Sequence, residues 1–447
     1  MTTFNKCVMR SIHKLIRVFF FLTLFAALPG WLKAQQTELR NSFMLSIRGE
    51  HAVFPDQILK LKNIEGKRKQ VWEAWRAANH LIQEDKLPTI DTLNAQHVNA
   101  WVLPDSLEPA ARLNYYFGRK GDAEQYPLFL YLHGSGPRDQ EFQTGLLLAK
   151  RFADAPSVYF IPQIPQEGKW YRWWQRSKQW AFEKLLRQWL LSASADPNRL
   201  YVFGISEGGY GSQRLASFYA DYWAAAGPMA GGEPLKNAPI ENLRNTPFSL
   251  LTGALDKGFY RNKLTAYTKA ALEQTKFEYR VELLPGYGHH IDYSLTTPWL
   301  AQYKRNPTPL HISWEDFEMD GRYRRGFSNL VVLERPDTQG RTYYDETISN
   351  NTIDLSVNNV VYTTIEKDTI WGIDLKFKKH FTPATSGKLR IYLSENQIDL
   401  KRPVRILVNG QEKFNGRLRP SLKAMAESLS VFYDPERIFP VYVDITI

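Results

Sequence analysis

Arg199-Leu200-Tyr201-Val202-Phe203-Gly204-Ile205, followed at once by Ser206-Glu207-Gly208-Gly209, is the stretch on which the reading of this chain turns. The first seven residues are mostly apolar, rich in aromatic and β-branched types, and predict a buried strand. From about Gly208 to Ala220 the composition predicts a helix. Between the two, Gly204-Ile205-Ser206-Glu207-Gly208 has the form G-x-S-x-G. A turn that tight needs glycine where a side chain would strike neighbouring backbone, and it lifts the serine hydroxyl clear of the sheet edge. The pattern is short enough to arise by chance. Its weight comes from the strand before it and the helix after it.

Working outward, strands and helices alternate on both sides. Extended segments are predicted at 111–119, 126–132, 157–162, 199–205, 248–254 and 279–285, with helices near 176–192, 208–220 and 261–275. Short apolar runs alternating with helices imply a mostly parallel sheet covered on both faces. Such sheets bind ligands beyond the carboxyl ends of their strands, which is where the motifs of this chain fall.

A serine hydroxyl is a weak nucleophile and needs a base that is itself oriented by an acid. In sheets with this turn the acid and then the base follow the serine in the chain. Asp256 leaves the apolar run Leu250-Leu251-Thr252-Gly253-Ala254-Leu255, and His289 follows Leu284-Pro285-Gly286-Tyr287-Gly288. Asp196, Asp221 and Asp292 compete with Asp256, but none directly follows a buried-looking strand. His290 competes with His289; the glycine before His289 favours it, because glycine lets the loop come in closely. Tyr131-Leu132-His133-Gly134-Ser135-Gly136 closes an earlier strand with a His-Gly turn. One backbone N–H there, of Gly134 or Ser135, and that of Glu207 after the serine are the expected oxyanion donors. Lys169-Trp170-Tyr171-Arg172-Trp173-Trp174 is the densest aromatic run. Trp170, Trp173 and Trp174 either wall a substrate pocket or pack the next helix onto the sheet.

The stretches 131–136, 162–170 (PQIPQEGKW), 196–212 (DPNRLYVFGISEGGYGS), 224–232 (AAAGPMAGG), 252–256 and 285–290 together resemble the bacterial esterase and prolyl-oligopeptidase-like α/β hydrolases, of the polyhydroxybutyrate-depolymerase and feruloyl-esterase type. Residues 388–416 and 433–445 are similar to the small β domain often appended to them. The resemblance implies an α/β-hydrolase fold and a Ser-Asp-His triad. Glu207 departs from it, since a methionine or other hydrophobic residue is more usual after the serine.

With 447 residues, 43% hydrophobic and 14% aromatic, the chain is long enough for two folded units and too apolar for disorder. The expected division is 1–34 signal peptide, 35–105 helical lead-in, 106–306 α/β-hydrolase part and 307–447 all-β sandwich of about seven strands. Lys6, Arg10, Lys14 and Arg17 precede an uncharged apolar run from Val18 to Leu32, with Ala34 as a small residue for cleavage. That is a secretory leader, and an exported, periplasmic or secreted bacterial protein is expected. Cys7 is the only cysteine, so the chain after the leader has no thiol or disulfide chemistry. Of the net charge of +11, five units are Lys/Arg of residues 1–34 and the rest is dispersed apart from Lys67-Arg68-Lys69, a solvated face rather than a nucleic-acid surface. No metal or dinucleotide motif is present and no cofactor is called for. The expected function is hydrolysis of a small-molecule or glycan-linked ester, with no nucleic-acid partner and no stable membrane insertion after leader cleavage. A serine peptidase of the prolyl-oligopeptidase kind and a catalytically idle glycan binder are the alternatives. The β part is expected to supply no catalytic group.

Overall fold

The computed structural model describes residues 34–447, so the expected leader, all but its last residue, lies outside the described residues. No helix among the described residues is long and apolar enough to cross a membrane. The described part of the chain begins with helices α1 (residues 34–47) and α2 (Ile64–His80). The spacing of Val71, Ala74, Trp75 and Ala78 gives α2 one buried face.

An eight-stranded sheet follows. Its strands are β1 (Val98–Val102), β2 (Arg112–Lys120), β3 (Tyr126–Leu132), β4 (Ser157–Pro162), β5 (Ala195–Ile205), β6 (Ala225–Met229), β7 (Phe248–Gly253) and β8 (Tyr279–Leu284), in the order β1-β2-β4-β3-β5-β6-β7-β8. β1, β2 and β4 pair antiparallel, and β4-β3-β5-β6-β7-β8 are parallel throughout. Alternate residues of a strand feed opposite faces. Leu128, Leu130 and Leu132 join the core under α4 (Arg176–Leu190), α5 (Glu207–Phe218) and α6 (Arg261–Leu272). Phe129 and Tyr131 join the core under α3 (Arg138–Arg151) and α7 (Thr296–Leu300). Both faces are therefore covered, which is why the central strands are apolar along their whole length.

Ten further strands form two sheets: β9 (His311–Asp316), β10 (Gly326–Phe327), β11 (Leu330–Glu334), β12 (Arg341–Ser349), β13 (Thr352–Lys367), β14 (Asp374–Pro383), β15 (Lys388–Leu393), β16 (Val404–Val408), β17 (Gln411–Gly416) and β18 (Val441–Thr446). One sheet runs β10-β11-β15-β18; the other runs β17-β16-β13-β12-β9 with β14 on the free end of β13. They share a core that includes Trp314, Tyr344, Leu355, Ile391 and Val443. Ten strands replace the expected seven or so. Two of the expected strands, 352–356 and 360–366, are one, because Asn358 and Asn359 sit in mid-ladder between β12 and β14.

Helix α8 (Leu422–Phe432) shares its apolar face with α1 and α2, through Leu39, Phe43, Trp75, Leu422, Met425 and Leu429. The seam between the eight-stranded sheet and the C-terminal sheets also holds a buried ionic cluster. Arg437 reaches Asp221 at 2.6 Å and Asp434 at 2.8 Å, Arg305 reaches Asp434 at 2.8 Å, and Arg324 also pairs with Asp221. None of these five side chains is more than 7% exposed. Burial alone would raise the carboxyl of Asp221, but Arg324 and Arg437 outweigh it and hold it at about 2.

Candidate active site

β5 delivers Ser206 into a backbone that side-chain-bearing residues rarely adopt, φ 58° and ψ −114°. Two glycines make that possible. A Cβ on Gly208 would lie 1.9 Å from the Leu132 carbonyl oxygen, and one on Gly204 would lie 2.3 Å from the carbonyl oxygen of Gly208. Ser206 N–H donates to Met229 at 3.0 Å on one side, and Tyr210 N–H donates to the Ser206 carbonyl at 3.0 Å as the first bond of α5. The hydroxyl is thereby held at the carboxyl edge of the sheet.

The base and acid arrive from the next strand ends. The loops after β7 and β8 are tied together by Ala254 N–H to Leu284 and Leu255 N–H to Tyr287, both 2.9 Å. His289 Nε2 lies 2.9 Å from Ser206 Oγ, and its Nδ1 lies 2.7 Å from Asp256 Oδ2. The carboxylate selects the tautomer with the proton on Nδ1, so Nε2 is free to accept from the serine. Asp256 is 4% exposed, and its second oxygen accepts from Arg261 Nη1 at 3.0 Å. His290 is exposed, its ring 6.1 Å from that of His289. Among the competing acids, Asp196 faces Lys304 at 4.0 Å, Asp221 belongs to the buried ionic cluster, and Asp292 caps the turn at Ser294.

The His-Gly turn is locked from behind. The Gly134 carbonyl accepts from His133 Nδ1 and from the Tyr171 hydroxyl, each at 2.8 Å. In a planar trans peptide the N–H opposes the C=O, so Ser135 N–H points away from both. Ser135 lines the same cavity as Ser206. His133 is fully buried, with Nε2 accepting from Ile164 N–H at 3.1 Å. Burial pushes its pKa down to about 4, so it stays neutral and structural.

That cavity has a volume of about 370 Å³. Its wall is polar at Arg172, Glu207, Tyr210, Arg214, Glu233 and Arg261, and apolar at Trp174, Phe259, Leu264 and Ile373. Arg214 makes a bidentate pair with Glu233, at 2.6 and 3.0 Å, while stacking on the Trp174 ring at 3.8 Å. Of the three tryptophans expected to be pocket candidates, only Trp174 lines the cavity. Trp173 is fully buried, its Nε1 donating to the His133 carbonyl at 3.0 Å, and it supports the turn from below. Trp170 does not line the cavity; its carbonyl accepts from the buried Lys178 at 2.8 Å. Arg261, Tyr210 and the Arg214–Glu233 pair carry no motif that a sequence reading could use. Neither does Ile373, which reaches the site from the C-terminal sheets. Those sheets contribute nothing to the Ser206–His289–Asp256 array.

Glu207 opens α5, and its side chain is 12% exposed. Burial raises its pKa to about 7; Arg172, 3.5 Å away and half-exposed, pulls it back only in part, and Glu233 adds to the rise. The folded protein therefore holds a proton that the unfolded chain has released between about pH 4.5 and 7, and stability falls as pH rises through that window. Glu207→Gln should remove this dependence. The melting temperature of the variant relative to the parent should rise by roughly 2–4 °C between pH 5 and pH 8. A difference that stays constant across that range would show that Glu207 is not held neutral.

No family model and no curated protein matches the sequence. Among solved structures the chain is similar to a thermostable esterase, with 20% identity, 47% of this chain and 64% of that one covered, and a TM-score of 0.38. It is similar to a ferulic acid esterase, with 14% identity, 46% and 97% covered, and a TM-score of 0.37. It is also similar to an S-formylglutathione hydrolase from Agrobacterium tumefaciens, with 14% identity, 46% and 91% covered, and a TM-score of 0.36. The chain thus spans less than two thirds of the length of the thermostable esterase. These likenesses are slight, and the strand order, the covered faces and the turn at Ser206 define the architecture by themselves. It is an α/β-hydrolase fold carrying additional C-terminal β sheets.

Proposed function

We propose that this protein is an exported serine hydrolase that cleaves a small-molecule or glycan-linked carboxylic ester through an acyl-enzyme. The observation that carries the reading is the unbroken relay from Asp256 through His289 to Ser206, 2.7 Å and 2.9 Å, with Ser206 lining a cavity. Ser206 Oγ attacks the ester carbonyl while His289 Nε2 takes its proton. Asp256 holds the ring and stabilises the imidazolium, and Arg261 fixes Asp256 in turn. The negative charge that forms on the carbonyl oxygen is met by the N–H groups of Ser135 and Glu207. The latter belongs to the first turn of α5, whose N–H groups have no partner within the helix. The tetrahedral intermediate collapses, the C–O bond to the alcohol breaks, and His289 returns the proton to the leaving oxygen. Water then attacks the acyl carbonyl while His289 takes its proton, and the bond to Ser206 Oγ breaks as His289 returns that proton to Oγ and the acid leaves.

The reading is tested by reacting the protein with a fluorophosphonate and mapping the adduct. Stoichiometric labelling of Ser206 is expected, and labelling elsewhere or none at all would count against it. A panel of acetyl, feruloyl, long-acyl and aminoacyl substrates then reports the acyl group, with turnover confined to the aminoacyl member pointing to the peptidase alternative.

A further inference from the structure

One residue in the wall of the Ser206 cavity comes from outside the part of the chain that carries the eight-stranded sheet. Ile373, which lines it, lies in the turn between β13 and β14 of the C-terminal sheets. That turn is bound to the loop and helix that follow Asp256. Glu366 accepts from Lys263 and from the Tyr267 hydroxyl, and Asp368 accepts from the Tyr260 hydroxyl at 2.6 Å. Asp368 also accepts from the N–H groups of Ile370 and Trp371, which fixes the turn itself. Trp371 packs on Phe259 with ring centroids 4.8 Å apart, and Phe259 lines the cavity.

Phe259 and Tyr260 both have positive φ, 50° and 59°, a conformation that bulky residues adopt only when their surroundings impose it. The contacts of the β13–β14 turn are such surroundings. Phe259, Ile370 and Trp371 nevertheless remain 45%, 76% and 59% exposed, and Phe259 belongs both to this apolar group and to the wall of the cavity. Phe259 and Trp371 are paired rather than singly exposed, so the apolar surface is contiguous at this point.

We infer that the β13–β14 turn is the specificity element of this site. Ile373 and Phe259 form a subsite for the bulky apolar part of the ester substrate, and Trp371 is a positioning residue that holds Phe259 in place. The inference rests on Ser206 being the nucleophile. It predicts that esters carrying a large apolar group are preferred over acetyl esters, and that the preference depends on Trp371 and Ile373, more than a hundred positions beyond the serine.

The test is a ratio of labelling rates on the full chain. Two fluorophosphonates, one bearing methyl and one bearing 4-phenylbutyl on phosphorus, are reacted with the parent, Ile373→Ala, Trp371→Ala and Trp371→Phe. The bulky-to-small rate ratio should fall about tenfold in Ile373→Ala and Trp371→Ala, and Trp371→Phe should recover most of the loss. Ile373 and Trp371 are not buried, so these changes should be tolerated by the fold. An unchanged ratio, or an equal loss of both rates, overturns the inference. If neither probe labels Ser206 in the parent, the nucleophile assignment fails, and the subsite is judged by binding. Quenching of tryptophan fluorescence by 4-phenylbutyrate should then require at least about threefold more ligand in Ile373→Ala than in the parent, and equal affinities overturn it.

Discussion

Ser206→Ala is expected to lower turnover of an activated ester by on the order of a millionfold while the protein stays folded. Among the described residues the side chain has one hydrogen-bond partner, His289, so losing Oγ breaks no other hydrogen bond there. The backbone bonds that shape the turn, Ser206 N–H to Met229 and Tyr210 N–H to Ser206, involve no side-chain atom and persist. Alanine must accept the same φ of 58°, a strain that serine already bears. Melting should therefore shift by a few degrees at most, while the reaction loses the group that becomes acylated. The checks are kcat on the purified variant and a melting curve beside it. Activity above a few per cent of the parent in a folded variant would remove Ser206 from the mechanism.

The second large effect separates two neighbours. His289→Ala should cost nearly as much as the serine, because members of a relay fail together. His290→Ala should keep about a tenth of the parent rate or more. The reason is geometric: His289 has one ring nitrogen on Ser206 and the other on Asp256, while His290 is exposed and has no contact with either. Adjacent side chains on an extended loop diverge, so one position cannot stand in for the other. Steady-state kinetics of both variants on one ester decide it. A dead His290→Ala beside an active His289→Ala would mean the loop rearranges when substrate binds.

Much of this architecture could be read from the residues because local pattern and global fold agree there. The apolar runs of β3, β5 and β7 are buried on both faces, and the glycines around Ser206 allow few other turns. Where the two levels disagree, the reading failed. β6 is Ala-Ala-Gly-Pro-Met, a sequence with little preference for extension, and its place at the sheet centre is set by β5 and β7 on either side. Asn358 and Asn359 look like a break between strands, yet partners on both sides carry the ladder through them. In the site, the nucleophile, base and acid each follow a recognisable strand end. Arg261 does not, since any arginine on the first turn of any helix looks the same in sequence. The aromatic run left two readings open for a related reason: Trp173 and Trp174 are adjacent and chemically alike, and only the local twist of the chain sends one inward and the other to the cavity.

The buried cluster of Asp221, Arg305, Arg324, Asp434 and Arg437 bears on the order in which the molecule can be made. A chain emerging from the ribosome usually folds its leading domain while the rest is still being synthesised. Here that shortcut is closed. Asp221, at the end of the segment after α5, needs Arg324 and Arg437, and Arg305 needs Asp434. Burying a carboxylate or a guanidinium before its counterion exists costs several kcal/mol, about as much as a domain's whole margin of stability. The seam around Asp221 can close without that cost only once Arg324 and Arg437 are both present. The two parts of the chain are thus expected to close along this seam together, late in folding, rather than one after the other.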